Sequence, residues 1–507
     1  MPSKPRIDVP VARRNELIAL LAGAIFPLGF SPFYLFPLTV LSLAVLFALW
    51  STQGLRRSAW LGFVFGLGQF GVGASWVFVT MHTFGNMDTP LAALATLLFV
   101  ATLALFPALA GVVQACFTRH RPVLRVALAA PVVWTLVEWL RGWVFTGFPL
   151  LDAGYSQTGT PLGGLAPWLG TYGISLATAL SAGLLAAWFG RGWRTGWRFG
   201  AALAALWVLG FTAGLPVWGQ KYGQPLRVAL VQGNIPIKIK WLPQYRSAIL
   251  GTYLKLSADH PDAGLVIWPE GAVPAYLDDL PPDFVTALQQ EAKRDHQEFL
   301  FGAVDRAVVD GRLRYYNAAT SFGATRAVYR KHHLVPFGEY PPMKPLFGWL
   351  LRSLQIPMAD FSAGPTGQPP LQVAGQKAAV AICYETAFAA ETAAMAPPAT
   401  MIVNISENAW YGDSLAPHQL LQMARMRAME TARPLLRVDN AGLSASISAR
   451  GKMLAVSKQF HQGVLMATVQ GRTGLTPYVR LGNGPVVGLG FVTLFGLWVA
   501  DRRRRRS

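Results

Sequence analysis

The sequence predicts a multi-span α-helical membrane domain, seven helices followed by one C-terminal helix, with an α/β domain inserted before the last helix. Hydrophobic residues make up 52% of the 507 residues and charged residues only 14%, whereas soluble proteins contain about 25% charged residues. Long apolar runs recur between residues 17 and 218 and again at 484–500. Between them, short β-type runs alternate with helical patterns, which is typical of an α/β domain.

Eight apolar runs are candidate membrane helices, because crossing a bilayer takes about 20 predominantly apolar residues. They lie at residues 17–31, 33–50, 59–81, 91–116, 126–146, 167–190, 199–218 and 484–500. Pro27 interrupts the first run, so the sequence leaves open whether the first two helices cross completely. A cleaved signal peptide is not expected, since the second run follows almost at once without a convincing small-residue cleavage site.

Arginines in alternate loops predict the orientation of the chain. They follow the second, fourth and sixth runs, at Arg56, Arg57, Arg119, Arg121, Arg125, Arg191, Arg194 and Arg198. The intervening loops, around residues 31–32, 82–89 and 148–167, contain neither Lys nor Arg. Because cytoplasmic loops carry the excess of basic residues, both termini are expected in the cytoplasm and the inserted domain outside it. The net charge of +19 then reflects membrane orientation, and no nucleic-acid partner is predicted.

This orientation divides the chain into three parts. A membrane domain is expected at residues 1–219, an extracytoplasmic domain at 220–483, and a C-terminal helix with a basic cytoplasmic tail at 484–507. Strands of the extracytoplasmic domain are predicted at Leu226–Val231, Leu265–Trp268, Phe299–Val304, Tyr316–Phe322, Ala378–Ile382, Met401–Ile405 and Val464–Val469. Helices are predicted at Pro282–Arg294 and Pro417–Ala432.

Cys383 follows the apolar run Ala378–Ile382, at the point where a buried strand is predicted to end. A thiol held rigidly at a strand end can face a pocket, which suits a nucleophile. Taken alone, however, a cysteine is more often a small buried hydrophobe. The other cysteine, Cys116, lies far away at the predicted cytoplasmic end of the fourth helix, so no disulfide framework is expected.

Two other segments supply what a reactive thiol needs. Glu270 follows the apolar run that starts at Leu265, and sites collect at the carboxyl ends of strands in α/β sheets. Lys331 lies in a basic segment that runs on to Glu339. A carboxylate can take the thiol proton as a general base, and an ammonium can stabilise a thiolate or an oxyanion. The alternatives are a turn-capping glutamate and a solvated basic loop.

These three residues, in this order, resemble the nitrilase superfamily. Its members share an α-β-β-α sandwich and a Glu–Lys–Cys triad that works through a thioester. The segments Trp268-Pro-Glu270, Lys331–Glu339 and Cys383-Tyr-Glu385 are similar to one membrane-bound branch, the apolipoprotein N-acyltransferases.

The resemblance covers nearly the whole chain. Further similar segments are Gln232–Pro236 with Trp241, Asn408–Asp413, and Glu138–Pro149 in the membrane part. Tyr340 and Tyr411 stand where the family is expected to have Phe, and both keep the aromatic ring.

Carried over to this sequence, the resemblance implies a role for each residue of the triad. Glu270 would be the general base, Lys331 the stabiliser of the oxyanion and the thiolate, and Cys383 the nucleophile. The backbone N–H of Tyr384 would be a second oxyanion donor.

The resemblance also implies supporting residues. Glu339 and Glu385 would be supporting carboxylates, Glu385 near the lysine or the incoming amine. Trp241 would lie on a mobile loop that contacts lipid, with Trp410 and Tyr411 at the mouth of the pocket. Ordinary packing is the alternative role for these three aromatic residues.

Glu138 and Arg141 are ionisable residues in the membrane part. Three residues apart on one helix, they share a face and could pair. Ionisable groups at such depth are functional candidates, but a structural pair at the membrane interface is the simpler interpretation.

The implied reaction is acyl transfer at the outer face of a bacterial inner membrane. A phospholipid, expected to be phosphatidylethanolamine, would donate the acyl chain, and the α-amine of a diacylated apolipoprotein would accept it. The enzyme is expected to act as a monomer without a metal or other cofactor. Two rival interpretations remain: a membrane-tethered nitrilase-like amidase or hydrolase that uses water, and a non-catalytic scaffold or transporter.

Overall fold

The computed structural model describes residues 11–117, 121–192, 194–324, 326–341 and 360–506. The loop arginine Arg119, used above to predict orientation, lies outside these ranges.

Helices make up the described part of the chain before the first strand. The α-helices are α1 (Val11–Ile25), α2 (Phe36–Trp50), α3 (Leu55–Gly73), α4 (Trp76–Val79), α5 (Thr89–Ala115), α6 (Pro122–Leu124), α7 (Ala130–Arg141), α8 (Ala166–Arg191) and α9 (Trp197–Ala213). Short 3-10 or π-helical turns lie at Phe26–Gly29, Thr80–Phe84, Arg125–Ala129, Val144–Thr146, Ala153–Gln157 and Pro161–Leu165.

Each predicted apolar run contains a helix, but the helices differ in length. Within the described ranges, four are long and apolar enough to cross a membrane: Thr89–Ala115, Pro122–Arg141, Pro161–Arg191 and Gly484–Arg503. Helices α3 and α4 with the turn after them form a fifth only if this pair, bent by 52°, counts as one span. Helices α2 and α9 are apolar but contain only 15 and 17 residues. The predicted number of eight membrane helices therefore stays a prediction.

Two six-stranded sheets follow. The first has the order β12-β1-β2-β3-β4-β5 and the second the order β11-β10-β9-β8-β7-β6. The strands are β1 (Gln220–Gln232), β2 (Leu265–Ile267), β3 (Glu298–Val309), β4 (Arg312–Phe322), β5 (Val328–Arg330), β6 (Leu371–Val373), β7 (Gln376–Ile382), β8 (Met401–Ser406), β9 (Leu435–Asp439), β10 (Ala445–Ile447), β11 (Met453–Val456) and β12 (Gly463–Thr473). Strands β1–β3 pair in parallel, as do β7–β9, and the other pairs are antiparallel.

The remaining helices pack around these sheets or return to the helical part. They are α10 (Ile237–Lys240), α11 (Arg246–Ala258), α12 (Pro282–Arg294), α13 (Ala389–Met395), α14 (Leu415–Thr431), α15 (Pro477–Leu481) and α16 (Gly484–Arg506). Short 3-10 turns lie at Pro243–Tyr245, Cys383–Ala387 and Asn408–Tyr411.

Alternating side chains along the strands build an α-β-β-α sandwich. Val228 of β1 and Val380 of β7 lie in the apolar layer between the sheets. Ala229 lies in the outer layer with Leu288 of α12, and Ala379 in the opposite outer layer with residues of α14. Because neighbouring residues of a strand point to opposite faces, each strand contributes to two layers. The predicted sandwich is confirmed.

Helix α14 joins the sandwich to the helical part. Its Ala424 and Ala428 pack on the second sheet, whereas Leu420 and Met423 belong to the apolar cluster of the helical part. A helix with apolar neighbours on both sides needs no polar face, which explains why few of its residues are exposed.

A buried ion pair reinforces this junction. Arg427 of α14 lies 2.9 Å from a carboxylate oxygen of Glu430, and both side chains are fully buried. Arg427 also donates to the hydroxyls of Thr171 and Tyr155, at 2.8 and 3.1 Å. The other oxygen of Glu430 accepts from the backbone N–H and hydroxyl of Thr171, both at 2.7 Å. The pair thus connects α14 to α8.

The expected partnership between Glu138 and Arg141 takes a different form. Arg141 pairs with Asp152 at 2.6 Å and donates to the carbonyl of Leu150. Glu138 accepts instead from the Trp134 indole and from the backbone N–H of Ala153. Both residues therefore bind the loop that follows α7, because that loop contains the Asp152 carboxylate and the backbone N–H of Ala153.

The buried pair on α14 generates a stability prediction. Replacement of Arg427 by Met leaves the Glu430 carboxylate buried without its cation, which costs about 3 kcal/mol or more. We expect the thermal unfolding midpoint of the detergent-purified protein, followed by tryptophan fluorescence, to fall by several degrees. Arg312→Met, at an exposed position of β4, is the control and should leave it unchanged. Equal midpoints for the two variants would contradict the role of the pair.

Candidate active site

Glu270 lies three residues after β2, at the carboxyl end of that parallel strand, and its side chain is 13% exposed. The loop that carries it packs directly on β3 at Gly302. A Cβ at Gly302 would lie 2.7 Å from the Glu270 Cα and 2.5 Å from the Gly271 nitrogen. Only glycine permits this approach, so β3 supports the loop that positions the carboxylate.

Lys331 follows β5 and is almost completely buried, with two carboxylates beside its ammonium. The Nζ atom lies 2.8 Å from Oε2 of Glu339 and 3.8 Å from Oε1 of Glu270. Asn317 of β4 donates from its amide to both carboxylates, at 2.7 and 2.9 Å. The backbone N–H of Lys331 in turn donates to the Asn317 carbonyl at 2.8 Å. Asn317 therefore fixes the two carboxylates and the lysine relative to one another.

Cys383 is the first residue after β7, and its φ of +53° lies in the left-handed region. Non-glycine residues adopt this region at a cost and are found there mainly where the surroundings impose it. The backbone enters the 3-10 turn Cys383–Ala387 immediately. This sharp turn places the thiol at the edge of the second sheet, where Cys383 is 7% exposed.

The carboxylate of Glu385 stabilises the turn at Cys383 through hydrogen bonds. It accepts from the Ile382 backbone N–H at 2.7 Å and from the N–H groups of His332 and His333 at 2.7 and 3.1 Å. The Tyr329 hydroxyl donates to the same carboxylate at 3.0 Å. Glu385 therefore ties the turn at Cys383 to the loop that carries Lys331. Both oxygens of the Glu385 carboxylate accept hydrogen bonds from these donors.

The charges around Cys383 set its protonation state. Burial raises the pKa of the thiol well above its usual range, and the Glu270 carboxylate raises it further. The Lys331 ammonium and the backbone N–H of Glu407 act in the opposite direction but do not outweigh burial. A thiol with this pKa is neutral at physiological pH, so attack on an ester requires a base that takes the proton.

The lysine carries the complementary charge. Burial alone would lower the pKa of Lys331, but Glu339 and Glu270 outweigh burial and raise it. The ammonium therefore stays protonated. Oε2 of Glu270 is buried and has no hydrogen-bond partner among the described residues, which leaves this oxygen available to a proton from a neighbouring group.

Trp241, predicted on a lipid-contacting loop, and Trp410 and Tyr411, predicted at the mouth of the pocket, lie in two different places. Trp241 is half-exposed, and its ring lies 3.3 Å from where a Cβ of Gly271 would be. Tyr411 packs edge-on against Trp76 of α4, and Trp410 against Phe84, with ring centroids 5.1 and 6.2 Å apart. The contacts of Trp410 and Tyr411 thus join the sandwich to the bent helix pair of the helical part.

The structure adds residues that the sequence patterns did not single out. Asn317 is the polar residue within the stretch Tyr315–Ala319 of β4. An amide among tyrosines and alanines could have indicated a functional residue there. Lys240 and Glu407 form a buried ion pair beside Glu270. Their partnership was not readable from the sequence, because 167 positions separate them.

The fold and this residue cluster define a nitrilase-type domain joined to an apolar helical part. A model of the carbon–nitrogen hydrolase family matches residues 227–478, and a model of the apolipoprotein N-acyltransferase N-terminal domain matches residues 22–184. The chain is 43% identical to an apolipoprotein N-acyltransferase of Nitrosomonas europaea over 97% of this chain and 99% of that protein. The corresponding protein of Methylococcus capsulatus is also 43% identical, over 97% of each chain.

A third relative, from Ralstonia nicotianae, is 41% identical over 99% of this chain and 96% of its own length. The chain belongs to the apolipoprotein N-acyltransferase family. The family resemblance inferred from the short segments around Glu270, Lys331 and Cys383 is thereby confirmed.

The opposing effects of Glu270 and Lys331 on the thiol predict shifts of opposite sign. Glu270→Gln removes a negative charge and should lower the pKa of Cys383, whereas Lys331→Met should raise it. A shift of one pH unit changes the thiolate fraction about tenfold. The measurement is the midpoint of the pH profile for alkylation of the Cys383 peptide, read by mass spectrometry in a Cys116→Ser background. Shifts of the same sign in both variants would refute this electrostatic arrangement.

Proposed function

We propose that this chain transfers a fatty acyl group from a phospholipid to the N-terminal amine of an apolipoprotein, with Cys383 as the acyl carrier. Glu270 serves as general base and acid, and Lys331 stabilises negative charge. The observation that carries the proposal is the grouping of three side chains at facing strand ends: a neutral thiol, an ammonium with a raised pKa, and a carboxylate with one oxygen that has no partner in the part of the chain that the structure describes.

In the first half-reaction, Glu270 accepts the thiol proton as Sγ of Cys383 attacks the ester carbonyl carbon of the phospholipid. The resulting oxyanion is stabilised by the Lys331 ammonium and by the backbone N–H of Tyr384. When the tetrahedral intermediate collapses, the ester C–O bond breaks. The lysophospholipid oxygen takes its proton from Glu270, and the acyl group remains on sulfur as a thioester.

In the second half-reaction, the neutral α-amine of the diacylglyceryl-cysteine N-terminus attacks the thioester carbonyl. Glu270 accepts the amine proton, and the same oxyanion donors act again. The C–S bond breaks to form the amide, and the proton on Glu270 returns to the Cys383 sulfur. Atoms and charges balance without a cofactor or metal, because the thioester itself supplies the activated acyl group.

Glu339 and Glu385 are proposed as supporting carboxylates, one beside the Lys331 ammonium and one beneath the nucleophile turn. Trp241, Trp410 and Tyr411 are proposed to contact the lipid substrates. This role is supported by the packing of Trp410 and Tyr411 against Phe84 and Trp76 of the helical part. An apolar mouth of this kind excludes water and favours transfer over hydrolysis.

The orientation of the chain completes the proposal. Residues 1–219 form the membrane domain, 220–483 the catalytic domain and 484–507 the C-terminal helix with its tail. The arginine pattern supports cytoplasmic termini and a periplasmic catalytic domain in the bacterial inner membrane. We further propose phosphatidylethanolamine as the donor and a monomer as the active form.

A direct test incubates the purified protein with acyl-labelled phosphatidylethanolamine and then with a synthetic diacylated lipopeptide. We expect a hydroxylamine-sensitive acyl-enzyme in the first step and an N-acylated lipopeptide in the second, both identified by mass spectrometry. Cys383→Ala should abolish both products, whereas Cys116→Ser, at an exposed position, should form them as the unaltered protein does.

Two results would contradict the proposal. A labelled thioester in the Cys383→Ala protein would show that another residue carries the acyl group. Release of free fatty acid without transfer to the lipopeptide would instead indicate the water-using hydrolase, the first of the rival interpretations.

A further inference from the structure

Lys240 is a buried lysine outside the proposed triad. It ends the short helix α10, directly before Trp241, and its side chain is 1% exposed. Lys238, two positions earlier in the same turn, is exposed. Lysine side chains are almost never fully buried unless they are paired, so the partners of Lys240 are informative.

The ammonium of Lys240 connects the two sheets. It donates to the backbone carbonyl of Glu270 at 2.8 Å and forms an ion pair with the carboxylate of Glu407. Glu270 follows β2 of the first sheet, whereas Glu407 directly follows β8 of the second. One side chain thus bridges the strand end that carries the proposed base and a strand end of the opposite sheet.

On the second sheet, the connection continues to the nucleophile. The backbone N–H of Glu407 is close enough to Cys383 to act toward a lower pKa of its thiol. The other carboxylate oxygen of Glu407 accepts from the Asn440 amide and the Ala409 N–H, both at 3.2 Å. Glu407 is therefore held by Lys240, Asn440 and Ala409, which fixes this strand end beside Cys383.

Stability alone does not account for this pair. A buried ion pair gains little over apolar side chains of the same volume, because both charges lose their hydration. What the pair supplies is a fixed separation between two strand ends.

We propose that Lys240 is a positioning residue for acyl transfer: it holds the Glu270 strand end against the Glu407 strand end, so that base and nucleophile keep their reactive separation. The inference rests on the proposed function, because it assigns Lys240 to the site formed by Glu270 and Cys383. Lys240 itself does not touch the reacting atoms. Since both half-reactions use the same two groups, both depend on this bridge.

The test compares Lys240→Met with Lys238→Met, a matched change in the same helical turn. Misplacement of reacting groups by about 1 Å costs on the order of 100-fold in rate. We expect Lys240→Met to slow acyl-enzyme formation at saturating phospholipid by roughly 10- to 100-fold, with KM for phospholipid changed by less than about threefold. The midpoint for alkylation of Cys383 should also rise, because the Glu407 N–H is no longer held in place. Lys238→Met should match the unaltered protein.

A double variant, Lys240→Met with Glu407→Gln, separates positioning from stability. It removes both buried charges and keeps the Glu407 backbone N–H. We expect the unfolding midpoint to recover relative to Lys240→Met while acyl-enzyme formation stays slow. If the single variant does not fold, the rate of acyl-enzyme formation by the double variant tests the proposal.

Two outcomes would overturn the proposal for Lys240. One is a folded Lys240→Met protein that forms the acyl-enzyme within about twofold of the normal rate. The other is a double variant in which both stability and rate recover. If the unaltered protein forms no acyl-enzyme, the proposed function fails, and the alkylation midpoint of Cys383 still decides whether Lys240 positions the site.

Discussion

The buried ammonium of Lys331, set between the carboxylates of Glu339 and Glu270, is the interaction on which the site depends. Two carboxylates this close repel one another in a buried pocket, and the ammonium offsets that repulsion. Asn317 holds both carboxylates at fixed positions. The same cation opposes the effect of burial on the Cys383 thiol. One charge therefore organises Glu270, Glu339 and Cys383.

This arrangement requires two sheets to meet with their strand ends aligned. Glu270 belongs to the first sheet and Cys383 to the second, so neither sheet alone contains a site. Burial of the apolar layer between the sheets contributes most of the free energy that holds them together, but apolar contacts are not directional. Polar contacts fix the alignment instead. Glu385 connects the turn Cys383–Ala387 to the loop that carries Lys331, and Lys240 connects Glu270 to Glu407.

Local patterns in the sequence predicted an α/β domain and the candidate residues Glu270, Lys331 and Cys383, whereas the α-β-β-α sandwich was implied by the family resemblance. Apolar runs that end in Glu270 or Cys383 are visible in single segments, and the long strands β1, β3 and β4 lie where such runs predicted them. The short strands β5, β6, β9, β10 and β11 were missed, since three to five residues carry too little periodicity. Strand β2 is equally short and was predicted from its apolar run alone. The pairing of Lys240 with Glu407 and of Arg141 with Asp152 depends on contacts that folding creates, so spacing along the chain could not reveal it.

The apolar surroundings of the thiol connect the fold to the choice between transfer and hydrolysis. Tyr384 and Phe388, in and just after the nucleophile turn, belong to the same apolar cluster as the helices, and Tyr411 packs against that cluster. The side of Cys383 that faces the helices is thus continuous with surfaces suited to lipid. In the proposed reaction, this apolar surface shields the thioester on Cys383 from water, which favours transfer to an amine over hydrolysis.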